Sequence, residues 1–218
     1  MFSKFKNTKL LDQAFTHRSY LNEVAEKLPS NERLEFLGDS IISFVVSDYL
    51  FKMYPDFDEG TLTNLRSLLV NTKNLSQVAD RLSFGNKLKL SKGEEESKGR
   101  SNPSLLADSL EAFIGALYID QGLKEVSSFL KKILLSNIHD LVQKKSYKDP
   151  KSLLQEEVQA KKQKSPIYKV IEEVGPAHQK SFTVGVFVGD KMLGKGTGKS
   201  KQEASEMAAQ QTLERIGK

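Results

Sequence analysis

Cysteine is missing from all 218 residues, and its absence excludes disulfides, thiol nucleophiles and Cys-ligated zinc. Histidine is scarce: His17, His139 and His178 are too scattered along the chain to suggest a zinc cluster. Long apolar runs are lacking too. No segment approaches the length that spans a bilayer, and the charged N-terminus, Met1 to Lys9, has no apolar run behind it. No signal peptide is read there, and a cytoplasmic protein with no membrane partner is expected. Internal repeats and low-complexity tracts are also absent.

What is present is an ordinary globular composition, 38% hydrophobic and 28% charged with both signs interspersed, enough to build a packed core. The length suits one large domain or two modest ones. The net charge of +5 is unevenly spread. Residues 1–145 carry 20 Lys and Arg against 19 Asp and Glu, whereas residues 146–218 carry 13 against 9. The C-terminal third is the basic part, as expected of a module that meets a polyanion. A solvated basic surface with no partner is the competing reading.

From Thr8 to Lys145 the pattern is helical, punctuated by Leu28-Pro29-Ser30, Tyr54-Pro55-Asp56 and Ser101-Asn102-Pro103, and predicts an all-α domain. A polar linker is expected over about 144–149. Asp149-Pro150 then offers an N-cap followed by proline at the first helical position. After a helix near 150–162 with Leu153, Leu154 and Val158, the period changes. Phe182, Val184, Val186 and Val188 alternate on one side of a strand, and Gly189-Asp190 makes a tight turn into another. Ser200-Lys-Gln-Glu203 reads as a capping box opening the last helix. The order α-β-β-β-α predicts a small α+β domain over 146–218, its antiparallel sheet covered on one face by both helices. The fold class is therefore multidomain, with the all-α domain over 1–145.

The chemistry lies in two apolar segments that carry acids. In Asn31-Glu-Arg-Leu-Glu-Phe-Leu-Gly-Asp-Ser40, a helix places Glu32, Glu35 and Asp39 within roughly 60° of one another. Such a stripe is usually a solvent face. Here Ile42 and Val46 continue the same stripe, and Phe36, Leu37, Ile41, Phe44 and Val45 cover the rest, so the helix is expected to be buried nearly all round. A second helix from Pro103 places Asp108 and Glu111 on one face, with the small residues Ala112 and Gly115 beside them to admit another helix closely. Buried acids need a cation, a donor or a proton. Arg33 is available to neutralise one of them. The two readings are a structural ion-pair network and convergence on hard divalent cations, magnesium or manganese. The second is the arrangement that hydrolyses a phosphodiester.

The stretch from Asn31 to Ser40 resembles the signature of bacterial ribonuclease III, and the likeness extends over nearly the whole chain. Ala14-Phe-Thr-His-Arg-Ser-Tyr20 is similar to that family's first helical motif, and Asp58-Glu59-Gly60 and Leu106-Ala-Asp108-Ser-Leu-Glu111-Ala match its other acidic positions. The resemblance implies a helical endonuclease domain followed by a double-stranded-RNA-binding domain. It implies that Glu35, Asp39, Asp108 and Glu111 bind Mg2+, with Mn2+ able to substitute, that Asp39 and Glu111 are catalytic, and that Glu32 and Glu59 stand near the scissile bond. It also implies a homodimer that cuts double-stranded RNA, leaving 5′-phosphate and 3′-hydroxyl ends with short 3′ overhangs, and a role in processing ribosomal RNA precursors and other structured RNAs. In the C-terminal domain, Gln155, Glu156 and His178 match minor-groove contacts. Lys199, Ser200 and Lys201 match contacts to phosphates, which the start of a helix also favours. One departure is Gln202, where many relatives have a second lysine.

Two rival functions remain open at this point. Gly194-Lys-Gly-Thr-Gly-Lys199-Ser200 invites a nucleotide-binding P-loop, but the position needing the first glycine is Leu193, and no later strand follows. No nucleotide cofactor is therefore expected. The other rival is an RNA-binding scaffold in which the helical domain only dimerises, which a cleavage assay separates from an enzyme.

Overall fold

Short polar side chains set where the helices begin. Asn7 accepts hydrogen bonds from the backbone N–H groups of Lys9 and Leu10 and opens α1, Thr8–Ala14. Asp58, Asn71 and Asn102 do the same for α3, Glu59–Val70, for α4, Thr72–Arg81, and for α6, Pro103–Gln121. Each supplies an acceptor to an N–H that has no partner within its own helix. Between them run α2, Glu32–Met53, and the short α5, Lys92–Glu96. Gly122, at φ +81°, ends α6 and turns the chain into α7, Leu123–Ile133, which is followed by α8, Ile138–Gln143. The computed structural model describes residues 5–143, 147–176 and 179–216. It divides into two compact units, Met1–Lys144 and Lys145–Lys218.

In the first unit α6 is the central helix, buried along its length from Leu106 to Leu117 apart from Asp108 and Glu111. Its most extensive partner is α2. Phe113 anchors an aromatic cluster, with ring centroids 5.3 Å from Phe84 and 5.4 Å from both Phe5 and Phe129. Among the described residues of this unit the only extended pairing is an isolated bridge between Thr16 and Lys89.

Contrary to the sequence expectation, α2 is not buried all round. Phe36, Phe44 and Phe51 are 79, 57 and 71% exposed. Their apolar character is real, but more than half of each residue's surface stays uncovered.

The second unit opens with Asp149 capping α9, Pro150–Ala160. Strands β1, Ile167–Val174, β2, Ser181–Val188, and β3, Lys191–Gly198, form an antiparallel sheet in the order β1-β2-β3. The turn at Gly189-Asp190 uses φ +60° at Gly189. Helix α10, Lys201–Ile216, returns across the sheet. Leu154, Val158, Val186, Ala208 and Ala209 form the core, with Tyr168, Leu193 and Leu213 packed against it.

The glycines that suggested a P-loop lie in β3 and serve packing. A Cβ at Gly194 would stand 2.2 Å from Thr212 Oγ1, and one at Gly196 would stand 2.2 Å from the Ala208 nitrogen. Period-two glycine lets α10 lie directly on the strand.

Candidate active site

Two glycines bring the acidic segments together. A Cβ on Gly38 of α2 would come within 1.8 Å of the Glu111 carbonyl oxygen, and one on Gly115 of α6 within 2.2 Å of the Leu34 carbonyl oxygen. Each helix thus presents a glycine to the other's backbone, so the axes approach more closely than any larger residue allows. Glu35 and Asp39 flank Gly38, while Asp108 and Glu111 lie two turns and one turn before Gly115. The contact that joins the helices also gathers their carboxylates.

Glu35, Asp108 and Glu111 each place a carboxylate oxygen within 4.8 Å of the others, all three side chains being half-buried. Asp39 is exposed and outside that trio, yet its charge acts on both Glu35 and Glu111. Among the described residues no lysine or arginine forms an ion pair with any of the four. Arg33 does not take the neutralising position open to it.

Uncompensated burial shows in the proton affinities. Burial, then the charges of Asp39, Asp108 and Glu35, push the Glu111 carboxyl up to about 8. Burial followed by Asp108, Glu32 and Asp39 raises Glu35, and burial raises Asp108 against the opposing influence of His17. Carboxylates crowded this way must take up protons or a cation. An all-oxygen set with no cationic side chain fits a hard divalent ion. Among the described residues this rules out an ion-pair network for these four acids.

The remaining acidic positions lie apart from the trio. Glu32 is exposed, 3.7 Å from Arg18 Nη1, and accepts a hydrogen bond from Ser30 Oγ. Glu59, at the start of α3, accepts from Thr63 Oγ1 and lines an apolar groove of about 640 Å³ with Phe44, Phe51, Phe57 and Leu62.

His17 was not singled out in the sequence, yet it lies within electrostatic reach of Asp108. Its Nδ1 accepts from the Ser19 backbone N–H, and Ser19 Oγ also accepts from the Ser91 N–H. The histidine is thereby tied to two loops beside the acids. Only the motif Thr16-His-Arg-Ser19 hinted at it.

In the second unit, Gln155 and Glu156 are exposed on α9. Glu156 Oε1 is 2.6 Å from Lys148 Nζ, a partner no spacing rule suggested. Lys199, Ser200 and Lys201 sit at the start of α10. There Ser200 Oγ accepts the Glu203 N–H, and Glu203 Oε2 accepts the Lys199 N–H. The box therefore closes one residue earlier than its usual form. Lys201 Nζ lies 5.7 Å over the Phe182 ring. His178 falls outside the described residues.

Comparison with known proteins agrees with this division. Residues 7–138 match a family model described as ribonuclease-III-like, and residues 150–216 match the double-stranded RNA binding motif. Ribonuclease 3 of Listeria monocytogenes is 44% identical over 213 residues, which cover 97% of this chain and 93% of the relative. Ribonuclease 3 of Geobacillus kaustophilus is 48% identical over 213 residues, 97% and 86% of the two chains. The solved nuclease domain of ribonuclease III from Campylobacter jejuni superposes with a TM-score of 0.57 at 38% identity, covering 62% of this chain and 90% of its own.

Proposed function

This chain belongs to the ribonuclease III family, a family of double-strand-specific endoribonucleases, and we propose that Glu35, Asp39, Asp108 and Glu111 form its hydrolytic centre. The observation that carries the proposal is the convergence of carboxylates from α2 and α6 with no lysine or arginine paired to them among the described residues. These residues would hold Mg2+, with Mn2+ as the alternative. When bound, such an ion supplies Lewis acidity, neutralising phosphate charge and making water acidic enough to attack. Glu111 gives up the proton it otherwise retains near neutrality. Glu35 and Asp108 provide the facing oxygens, and Asp39 extends the negative field toward solvent. Glu32 and Glu59 lie outside this centre, on surfaces open to RNA.

The catalytic domain spans 1–145 and the RNA-binding domain 146–218. A-form RNA offers a wide minor groove and a narrow, phosphate-lined major groove, so a small domain reads its shape over about 16 base pairs. Gln155, Glu156 and His178 reach minor grooves, while Lys199, Ser200 and Lys201 meet phosphates at the start of α10. Hydrolysis leaves 5′-phosphate and 3′-hydroxyl ends.

The described residues of a chain supply one such acidic cluster, so cutting both strands with short 3′ overhangs calls for a homodimer. The exposed Phe36, Phe44 and Phe51 support one, because three phenylalanines on a single helix surface ask for a partner surface. The Campylobacter nuclease domain likewise has a region involved in dimer formation. Precursors of ribosomal RNA and other structured RNAs in the cytoplasm are the proposed substrates. Among the described residues no helix is long and apolar enough to cross a membrane.

The test is incubation of a perfect RNA duplex with and without Mg2+, followed by analysis of the product ends. The reading requires cation-dependent cuts with 5′-phosphates. Products bearing 3′-phosphates or cyclic ends, or cutting indifferent to chelators, would overturn it.

A further inference from the structure

Gln202 stands where a second phosphate-binding lysine is expected, and its amide is turned away: Nε2 donates to Glu206 Oε1 at 3.0 Å, along the same helix. Across from it, Lys151 occupies the second position of α9. Lys151 Nζ lies 4.9 Å over the Tyr168 ring, and Tyr168 is held with its hydroxyl buried. Lys151 and Lys201 line one groove of about 730 Å³ between the two helices, with Gln155 and Gln202 also on its walls.

We infer that Lys151 supplies the second phosphate-binding cation that Gln202 does not, gripping the duplex backbone from α9 while Lys201 grips it from α10. The inference rests on the reading of this unit as a double-stranded-RNA binder.

Three features support the assignment. Lys148, Lys161 and Lys180 are engaged by Glu156, Glu157 and Glu173, whereas among the described residues no carboxylate comes within ion-pair distance of Lys151 or Lys201, which act on Asp149 and Glu173 only through space. Asp149, the nearest acid in sequence, is occupied as the helix cap by the Lys151 and Ser152 N–H groups and the Ser152 hydroxyl. Both lysines are also steadied over aromatic rings, Lys151 on Tyr168 and Lys201 on Phe182. A ring holds the side chain by its face while leaving ammonium hydrogens for a ligand, so less side-chain entropy is lost on binding. The two cations face a groove that also holds Gln155, a residue expected to touch the adjacent minor groove. One helix pair thus spans a base-edge contact and the phosphates beside it.

The test measures binding of the full chain to a labelled RNA duplex of about 20 base pairs, longer than one domain footprint. Divalent cation is omitted so that no cutting occurs, and salt is varied from about 50 to 200 mM, the range over which phosphate contacts are lost. Lys151→Gln should weaken binding about 3- to 10-fold near 0.15 M salt and reduce the log–log salt slope by about one contact. Lys151→Arg should keep the slope. Adding Gln202→Lys to Lys151→Gln should restore it. A Lys151→Gln slope equal to wild type, with or without an affinity loss, would overturn the inference, as would failure of Gln202→Lys to restore the slope. Absence of duplex binding by the wild-type chain would instead overturn the RNA-binding reading beneath it.

Discussion

Glu111 is the residue whose chemistry depends most on its surroundings. Its carboxyl is pushed up to about 8 by burial and by Asp39, Asp108 and Glu35. Glu111→Gln removes one ligand charge and keeps the shape, so duplex binding should persist while cleavage falls on the order of a thousandfold, the several kcal/mol of charge stabilisation that a bound ion supplies. Binding and single-turnover cleavage on the same duplex check both halves. The raised affinity for a proton also has a stability consequence. The folded chain holds a proton that the unfolded chain, with its ordinary value of 4.5, releases. Without metal, this contribution is fully present below about pH 4.5 and is lost as pH rises toward about 8. The thermal midpoint in chelator should therefore drop by several degrees between pH 6 and pH 8.5, and Mg2+ should raise it more at pH 8.5 than at pH 6, because only deprotonated ligands bind it. Melting curves at the two pH values decide this, and Glu111→Gln should flatten the difference.

At the scale of elements, the decisive feature is the close passage of α2 and α6. Gly115 was legible as a small residue beside the acids, since spacing alone places it on their face. Gly38 was visible only as a letter in a motif, because nothing local says that the Glu111 carbonyl will lie against it. Gly38→Ala gains about 1 kcal/mol of helix propensity. A Cβ 1.8 Å from that carbonyl forces the helices apart, however, and overpacking costs roughly 1–3 kcal/mol or more. The clash wins. The variant should melt lower than wild type, and its cleavage should fall about a hundredfold from ligands displaced by an ångström or so. Calorimetry and cleavage at saturating Mg2+ measure the two losses; a Gly38→Ala variant as stable and active as wild type would show that the passage is looser than described. The glycines of β3 teach the same lesson in reverse. Their spacing mimics a phosphate loop, and only their placement against Ala204, Ala208 and Thr212 reveals strand-to-helix packing.

For the whole molecule, the distribution of charge predicts how the two units divide the work. Deleting residues 146–218 removes the more basic unit, so cutting should fall on the order of a hundredfold at about 0.15 M salt and much less near 0.02 M, where the remaining phosphate contacts are less screened. Rates of both forms across salt test this, and parallel curves would contradict it. What the amino-acid order determined alone was whatever depends on neighbours in sequence: the break before the helix at Pro103, the capped helix start at Asp149, the alternation of β2, and the pairing of Asp108 with Glu111 on one face. The tertiary structure decided what depends on distant surfaces. It left Phe36, Phe44 and Phe51 uncovered on a helix that reads as buried, withheld Arg33 from the acids, and set Lys151 across a groove from Gln202. Periodicity states which side chains share a face. Which face meets another helix, another chain or solvent is fixed only when the backbones pack, because burial is a property of the assembled surfaces and not of any one segment.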